Sequence, residues 1–138
     1  MNNDYNDEVR HKMKGQVLKQ LVGRYPQNSV IAVTPLYHAE NFNELIKQEI
    51  ILAIELQDTP EHIFDRLVFS DENDIVYKDD EYKNEHKEYY LYDINEDIIF
   101  YFDVFKNVEL KYFMNNDSPK EVPRGLVKLI KKYLLHKK

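Results

Sequence analysis

Two carboxylates and a lysine lie close together between positions 103 and 111 of this 138-residue chain. Glu109 and Lys111 are two residues apart, so a β-strand would project both from one face, with Asp103 on the preceding strand. Two carboxylates that hold a divalent cation, beside a lysine that stabilises an attacking water, suit phosphodiester hydrolysis. A metal-dependent nuclease with Asp103, Glu109 and Lys111 as catalytic residues is therefore one functional hypothesis.

This arrangement resembles the D…ExK core of the restriction-endonuclease-like nucleases, and the resemblance covers residues 103–111. It departs from the family pattern because Asp103 does not follow a proline and no further strand follows the last predicted helix. A chain with 13 Glu and 15 Lys should contain about one such ExK by chance, and a second is present at Glu85 and Lys87. The alternative is that Glu109 and Lys111 form the solvated face of an outer strand, with Asp103 paired to Lys111.

Other signatures of catalysis or cofactor binding are absent from the sequence. The chain has no cysteine, which excludes disulfides, thiolate metal sites and cysteine nucleophiles. No two of its histidines are three or four residues apart, and its three glycines form no phosphate-binding loop. These histidines are His11, His38, His62, His86 and His136. We therefore predict neither a metal nor a cofactor, and the lack of catalytic motifs favours a protein that is not an enzyme.

The most distinctive segment, residues 71–97, is acidic and rich in tyrosine. It contains 11 Asp and Glu against 3 Lys. Tyrosines offer large rigid contacts and carboxylates attract a basic surface, so the segment is typical of a protein-binding patch. The predicted partner-binding residues are Asp79, Asp80, Glu81, Tyr82, Glu85 and Tyr89. The alternative is that Tyr90 and Tyr92 belong to the core and that the carboxylates only confer solubility.

Our primary hypothesis is a small, non-catalytic protein-binding module, such as an inhibitor, immunity or accessory protein of a bacterial mobile element or phage. It would engage a protein partner with a basic surface. A third hypothesis is a homo-oligomeric structural or chaperone-like protein. No apolar run approaches the roughly 20 residues of a membrane span, so we predict no membrane partner and a cytoplasmic location.

The charge distribution disfavours nucleic acid as a partner. Residues 1–105 carry 10 Lys and Arg against 22 Asp and Glu, a net charge of −12, whereas residues 106–138 carry 9 against 3, a net of +6. The acidic part would repel a phosphate backbone, and the C-terminal lysine face alone is weak evidence for one. A helix over 59–68 offers Glu61 and Asp65 against Arg66, which does not suit DNA recognition.

Hydrophobic periodicity predicts the elements that position these residues. An apolar row with a four-residue period, Tyr5, Val9, Met13, Val17 and Leu21, predicts a helix over 6–22. Capping signals predict helices over 42–57 and 59–68, and a last helix from Ser118 or Pro123 onward. The predicted strands are 29–33, 75–78, 88–94, 98–105 and 108–114.

The segments after residue 70 alternate with a period of two, which predicts an antiparallel meander of three to four strands. Turns at 95–97 and 106–107 would join its strands. The predicted fold is therefore a single α+β domain over 1–138, with N-terminal helices and a C-terminal helix packed on one face of the sheet.

Overall fold

The computed structural model describes residues 3–33 and 39–137. They form six helices, α1 Asn3–Arg24, α2 Ala39–Ile46, α3 Pro60–Arg66, α4 Glu81–Glu85, α5 Lys87–Val104 and α6 Glu121–His136. Two short parallel strands, β1 Ile54–Gln57 and β2 Leu110–Phe113, pair into one small sheet. Unit 1 contains the described residues up to Ile54 together with Tyr101–Glu109. Unit 2 contains Glu55–Phe100 and the described residues from Leu110 on.

The predicted antiparallel meander is wrong, because the chain is 55% helical and its described strands are the parallel pair β1 and β2. The predicted strands 88–94 and 98–105 both fall in α5, apart from the last residue of the second. The predicted strand 75–78 is reduced to one isolated antiparallel bridge, which joins Val76 to Ser70. The predicted strand 29–33 contains no strand pairing.

The sequence of α5 predicts two strands because its aromatic and β-branched residues fit both the period of a strand and the period of a helix. Its half-buried positions are Tyr90, Leu91, Ile94, Ile98, Tyr101 and Val104, which recur at helical spacing. Tyr89 and Tyr92 are exposed, which the strand alternation does not explain. The supposed turn, residues 95–97, lies on the exposed face in the middle of this helix. The amino-acid composition of residues 88–105 therefore favours strands, whereas packing in the folded chain favours a helix.

The predicted helix 42–57 is also wrong over most of its length. Helix α2 begins at Ala39, before the predicted start at residue 42, and ends at Ile46. The same segment then forms β1, which pairs with β2 from more than 50 residues away. A long-range pairing of this kind overrides local helix propensity. The backbone amides and carbonyls along the paired edge of β1 find their hydrogen-bond partners on β2.

The two other capping signals are confirmed. Thr59 is the N-cap of α3, with its hydroxyl accepting from the His62 amide at 3.2 Å, and Pro60 is the first helical residue. Before α6, the Ser118 amide donates to a Glu121 carboxylate oxygen at 2.8 Å, and the Glu121 amide donates to the Ser118 hydroxyl at 3.3 Å. These reciprocal bonds are those of a capping box, formed within four residues.

Helix α1 is confirmed as a helix, but its inner face is not the predicted one. Helix α1 contacts α2, and the residues of α1 that are buried are Gly15 and Leu18. In the predicted apolar row, Val9, Met13, Val17 and Leu21 are exposed, and the side chain of Tyr5 lies outside the described residues. Elsewhere in unit 1, Leu45 and Val108 are buried, and the rings of Phe42 and Phe105 meet edge to face at 5.3 Å.

In unit 2 the apolar interior is centred on Phe64, which is 2% exposed, and on Leu110 of β2. Helix α6 approaches β2 at Gly125, where an added Cβ would overlap the hydroxyl of Tyr112 and lie 2.6 Å from its Cζ. The apolar side chains of α6 are half-buried at Val122, Leu126, Leu129, Ile130 and Tyr133, whereas Leu134 is exposed. The described lysines of its basic face, Lys128, Lys131, Lys132 and Lys137, are exposed, and Lys138 lies outside the described residues.

Candidate protein-interaction site

A cluster of aromatic rings in unit 2 supports the acidic segment. The ring of Phe69 lies 4.8 Å from Tyr90, 5.6 Å from Tyr82 and 6.3 Å from Phe64, measured between centroids. The hydroxyls of Tyr82 and Tyr90 share a hydrogen bond of 3.4 Å, which raises the pKa of Tyr90 above its ordinary value. Tilted contacts at these distances are favourable, so the cluster holds the loop before α4 and the start of α5 together.

Two basic side chains of the acidic segment point into this cluster. The ring of His86 stacks on Tyr82 at 4.0 Å, and its Nδ1 lies 2.8 Å from the Tyr82 carbonyl oxygen. The Lys83 ammonium donates to the carbonyl oxygen of Asp65 at 2.8 Å, at the end of α3, and lies 5.2 Å from the Phe64 ring. A lysine in this position satisfies a C-terminal carbonyl of the helix and contacts an aromatic face. Lys83 therefore anchors α4 to the end of α3.

Most of the predicted partner-binding residues lie at the surface. Asp79, Asp80, Glu81 and Glu85 are exposed, and Tyr89 is 63% exposed. Tyr82 is half-buried in the aromatic cluster, so it packs beneath the exposed residues and adds less to the exposed surface itself. We call the surface formed by Asp79, Asp80, Glu81, Glu85 and Tyr89 the acidic aromatic face.

Local hydrogen bonds fix the backbone that carries these carboxylates. The Asp79 carboxylate accepts from the Glu81 amide at 3.1 Å, at the start of α4. Earlier in the same loop, Asp71 Oδ1 accepts from the amides of Asn73 and Ile75 at 2.8 and 3.0 Å. Asp74 adopts a left-handed conformation with φ of 62°, which short polar residues tolerate. The loop is therefore held in a defined conformation by its own acidic side chains.

A groove of 190 Å³ opens beside the acidic aromatic face. Its lining combines apolar residues with the charged side chains of Asp79, Asp80 and Lys83. The apolar lining residues are Leu67, Val68, Phe69, Val76 and Tyr77. Small-molecule pockets usually exceed about 300 Å³, so the groove is better matched to one side chain of a protein partner.

A second polar cluster, which the sequence did not suggest as a site, surrounds the buried Asp58. Its Oδ1 accepts from the Thr59 amide at 2.9 Å and lies 2.7 Å from His62 Nδ1. Its Oδ2 accepts from the Arg66 guanidinium at 2.7 Å and from the Asn116 amide at 3.0 Å. Asn116 can donate in this direction because it is left-handed, with φ of 60°.

Burial by itself would raise the pKa of Asp58, but hydrogen bonds from Arg66, His62 and the amides of Asn116 and Thr59 hold this pKa well below its ordinary value. The carboxylate is therefore ionised, and both of its oxygens have hydrogen-bond partners. It joins the end of β1, helix α3 and the turn after β2. The sequence predicts the helix start at Thr59 but not the role of Asp58, and the contribution of Asn116, 58 residues after Asp58, has no signal in the sequence.

Of the three residues of the nuclease hypothesis, Lys111 lies on a strand, whereas Asp103 and Glu109 do not. Asp103 lies near the end of α5, 81% exposed at its side chain, with Lys106 at 3.4 Å. Glu109 precedes β2, and Lys111 on β2 donates to Glu55 of β1 at 2.6 Å. Within residues 3–33 and 39–137, no group of three or more His, Asp and Glu is arranged to hold a metal.

The described histidines make separate local contacts. Nδ1 of His136 lies 2.7 Å from the Lys132 carbonyl oxygen within α6, and His62 and His86 bond to Asp58 and Tyr82 respectively. His38 and the side chain of His11 lie outside the described residues.

The described helices include none that is both long enough and apolar enough to cross a membrane. Comparison of the chain with protein families, curated proteins and solved structures found no match.

Proposed function

We propose that the chain is a non-catalytic protein-binding module that holds a basic partner through its acidic aromatic face. The observation that carries this proposal is the position of exposed carboxylates beside an apolar groove. Asp79 and Asp80 line the groove, while Glu81 and Glu85 extend the negative surface along α4. An apolar depression with a charged rim is typical of a protein interface.

Electrostatics favours a basic partner over any other. Asp79, Asp80, Glu81 and Glu85 are exposed, and these four carboxylates outnumber the single positive charge of Lys83, which lines the groove beside them and donates to the Asp65 carbonyl oxygen. The carboxylates of the acidic aromatic face therefore keep a negative field that attracts Lys and Arg and raises the rate of encounter. The same field repels nucleic acid, which disfavours a phosphate backbone as the ligand of this face.

The groove suggests the form of the contact. An aliphatic or aromatic side chain would fill the apolar lining, and a Lys or Arg next to it would reach Asp79 or Asp80. Rigid aromatic support below the groove reduces the entropy lost on binding, because Phe69, Tyr82 and Tyr90 are already packed. An inhibitor, immunity or accessory protein of a mobile element, facing a basic enzyme, would use a surface of this kind.

The proposal is tested by selecting binders from a random peptide library on the full chain. We expect enrichment of sequences in which an apolar residue is flanked by Lys or Arg. The double variant Asp80→Lys with Glu85→Lys should bind the selected peptides at least about tenfold more weakly, since two attractive charges become repulsive. Neither side chain makes a hydrogen bond that caps α4, so the helix should persist.

A matched control changes the same number of charges elsewhere. Glu44→Lys with Glu49→Lys alters two exposed carboxylates in unit 1 and should leave peptide affinity unchanged within about twofold. Equal losses in both double variants would mean that net charge alone attracts the peptides. Retained affinity in the Asp80 and Glu85 variant, or enrichment of sequences without basic residues, would refute the proposal.

A further inference from the structure

Helix α6 presents a basic face on the side away from its half-buried residues. A helix has 3.6 residues per turn, so cations spaced by three or four residues share this face. They are Arg124, Lys128, Lys131 and Lys132, all exposed. Within residues 3–33 and 39–137, none of the four forms an ion pair. Like charges four residues apart destabilise a helix, so this face is unfavourable in the isolated chain.

Helix α5 presents an acidic face. Its outward residues also recur every three or four positions and are exposed: Glu88, Tyr92, Glu96 and Ile99. Neither glutamate forms an ion pair with the part of the chain that the structure describes. Tyr92 and Ile99 are 65% and 60% exposed, which leaves apolar surface beside the two carboxylates. Helix α6 and this part of α5 both belong to unit 2.

Neither face is neutralised by its own helix. Glu121 is the only acidic residue of α6, and its carboxylate accepts from the Ser118 amide at 2.8 Å. Lys87 is the only basic residue of α5, and its ammonium lies 5.9 Å from the centre of the Phe64 ring. Each face can therefore take a partner of the opposite charge.

We propose that α5 of one copy of the chain binds α6 of a second copy, with the two helices parallel. Glu88 and Ile99 are eleven residues apart, and so are Arg124 and Leu135. In this register each outward residue of α5 meets a favourable partner on α6: Glu88 meets Arg124, Tyr92 meets Lys128, Glu96 meets Lys132, and Ile99 meets Leu135. The contact combines ion pairs, a cation–π contact and an apolar contact with Leu135, which is 70% exposed.

Charge selects both the second copy and the parallel orientation. The α6 face requires a ligand with carboxylates at helical spacing, and every copy of the chain supplies one on α5. Pairing places these carboxylates among the cations of α6 and offsets their mutual repulsion. An antiparallel arrangement of the same residues would place Glu88 beside Leu135 and Ile99 beside Arg124, which would desolvate charged groups against apolar side chains.

The contact joins two different surfaces, so it is heterologous and links copies into a ring or an open chain. None of its residues belongs to the acidic aromatic face. The inference therefore does not depend on the proposed function, and either can fail alone. A contact made by one helix from each copy lies at the low end of specific interfaces, so we expect a dissociation constant in the micromolar range, about 1–100 μM.

A charge swap on the full chain tests the contact. Sedimentation velocity of the unmodified chain between about 1 and 500 μM should show association. Glu88→Lys with Glu96→Lys, and separately Arg124→Glu with Lys132→Glu, should each weaken self-association at least about tenfold, since attractive pairs become repulsive. An equimolar mixture of the two double variants should regain the affinity of the unmodified chain within about threefold, because each α5 again meets an α6 of opposite charge.

Matched controls alter the same number of charges in unit 1. Glu44→Lys with Glu49→Lys changes two exposed carboxylates, and Lys14→Glu with Lys19→Glu changes two exposed lysines. Each control should self-associate within about twofold of the unmodified chain, because surface charges more than about 10 Å from the contact are screened.

A chain that remains monomeric at about 500 μM would overturn the proposal. So would double variants with native circular dichroism that self-associate as the unmodified chain does, or a mixture of them that stays dissociated. A monomeric chain whose retention on immobilised heparin is lost in the Arg124 and Lys132 variant would assign the α6 face to a polyanion instead.

Orientation is tested by cysteine cross-linking, which a cysteine-free chain permits without background. A mixture of Ile99→Cys and Leu135→Cys variants should link through a short bis-maleimide at least about fivefold more than a mixture of Ile99→Cys and Arg124→Cys variants. The parallel register separates the second pair by about 16 Å along the helices. The reverse ratio would show an antiparallel arrangement and refute the proposed contact.

Discussion

Asp58 illustrates how one buried carboxylate can organise three segments of chain. Its side chain is fully buried, yet His62 and Arg66, which bond to it, remain 30% and 36% exposed. A buried charge without partners would cost several kcal/mol, so the four hydrogen bonds are needed for it to be ionised in this position. The arrangement stabilises the turn at Asn115 and Asn116, whose left-handed backbones place the Asn116 amide toward Asp58.

We expect Asp58→Asn to lower the free energy of unfolding by about 2–4 kcal/mol at pH 7, because hydrogen bonds to a buried charge are lost or weakened. Chemical denaturation would measure this loss. The control Asp103→Asn alters a carboxylate that is 81% exposed and should change stability by less than about 0.5 kcal/mol. Equal stabilities of the two variants would contradict the role assigned to Asp58.

The lowered pKa of Asp58 also predicts how stability depends on pH. The folded state holds this pKa below the ordinary value of 3.8, so the unfolded chain binds the proton more readily. The contribution of Asp58 is therefore fully present above about pH 4 and is lost as the pH falls below that value. Unfolding free energies measured between pH 6 and pH 2 should decrease less steeply in Asp58→Asn than in the unmodified chain. Identical slopes would show that another group controls acid unfolding.

At the scale of elements, the approach of α6 to β2 depends on a residue without a side chain. Gly125 allows the ring of Tyr112 to lie against the backbone of α6, and the Tyr112 hydroxyl then donates to Asp117 at 3.2 Å. Burial and this hydrogen bond raise the pKa of Tyr112 above its ordinary value. The glycine weakens the helix by its own propensity, so its position is explained by packing.

Gly125→Ala should therefore destabilise the chain by about 1–3 kcal/mol, since its Cβ would overlap Tyr112. Gly23→Ala is the matched control, because a Cβ at Gly23 meets nothing within 4 Å and lies near the end of α1. It should be neutral or stabilising by up to about 1 kcal/mol. Thermal unfolding of both variants measures the difference, and a stable Gly125→Ala would show that Tyr112 moves aside without cost.

At the scale of the whole molecule, charge is the clearest constraint on partners. The chain carries a net charge of −6, and its first 105 residues carry −12. Such a distribution favours association with basic proteins and opposes self-association between acidic surfaces.

We expect binding of the selected basic peptides to weaken by about tenfold or more between 50 and 300 mM salt, because exposed charge pairs are screened over distances of about 10 Å. Fluorescence anisotropy at the two salt concentrations would measure this effect. Peptide affinity that does not depend on salt would contradict an electrostatic role for the acidic aromatic face.

The sequence alone determined the local features of this protein. Thr59 and Pro60 start α3, and Ser118 and Glu121 cap α6, because these signals act between residues that are three or four positions apart. The exposed carboxylates from Asp79 to Glu85 were also predictable, since a run of charged residues with little apolar surface cannot be buried.

Tertiary structure decided what periodicity left ambiguous. The aromatic run of α5 fits both a strand and a helix, and only its packed positions, from Tyr90 to Tyr101, distinguish the two. The row from Val9 to Leu21 indicated an apolar face without indicating what covers it. The Asp58 cluster depends on Asn116, a contact between distant residues that only folding brings together. Long-range packing, which has no signal in a short window of sequence, explains these three differences.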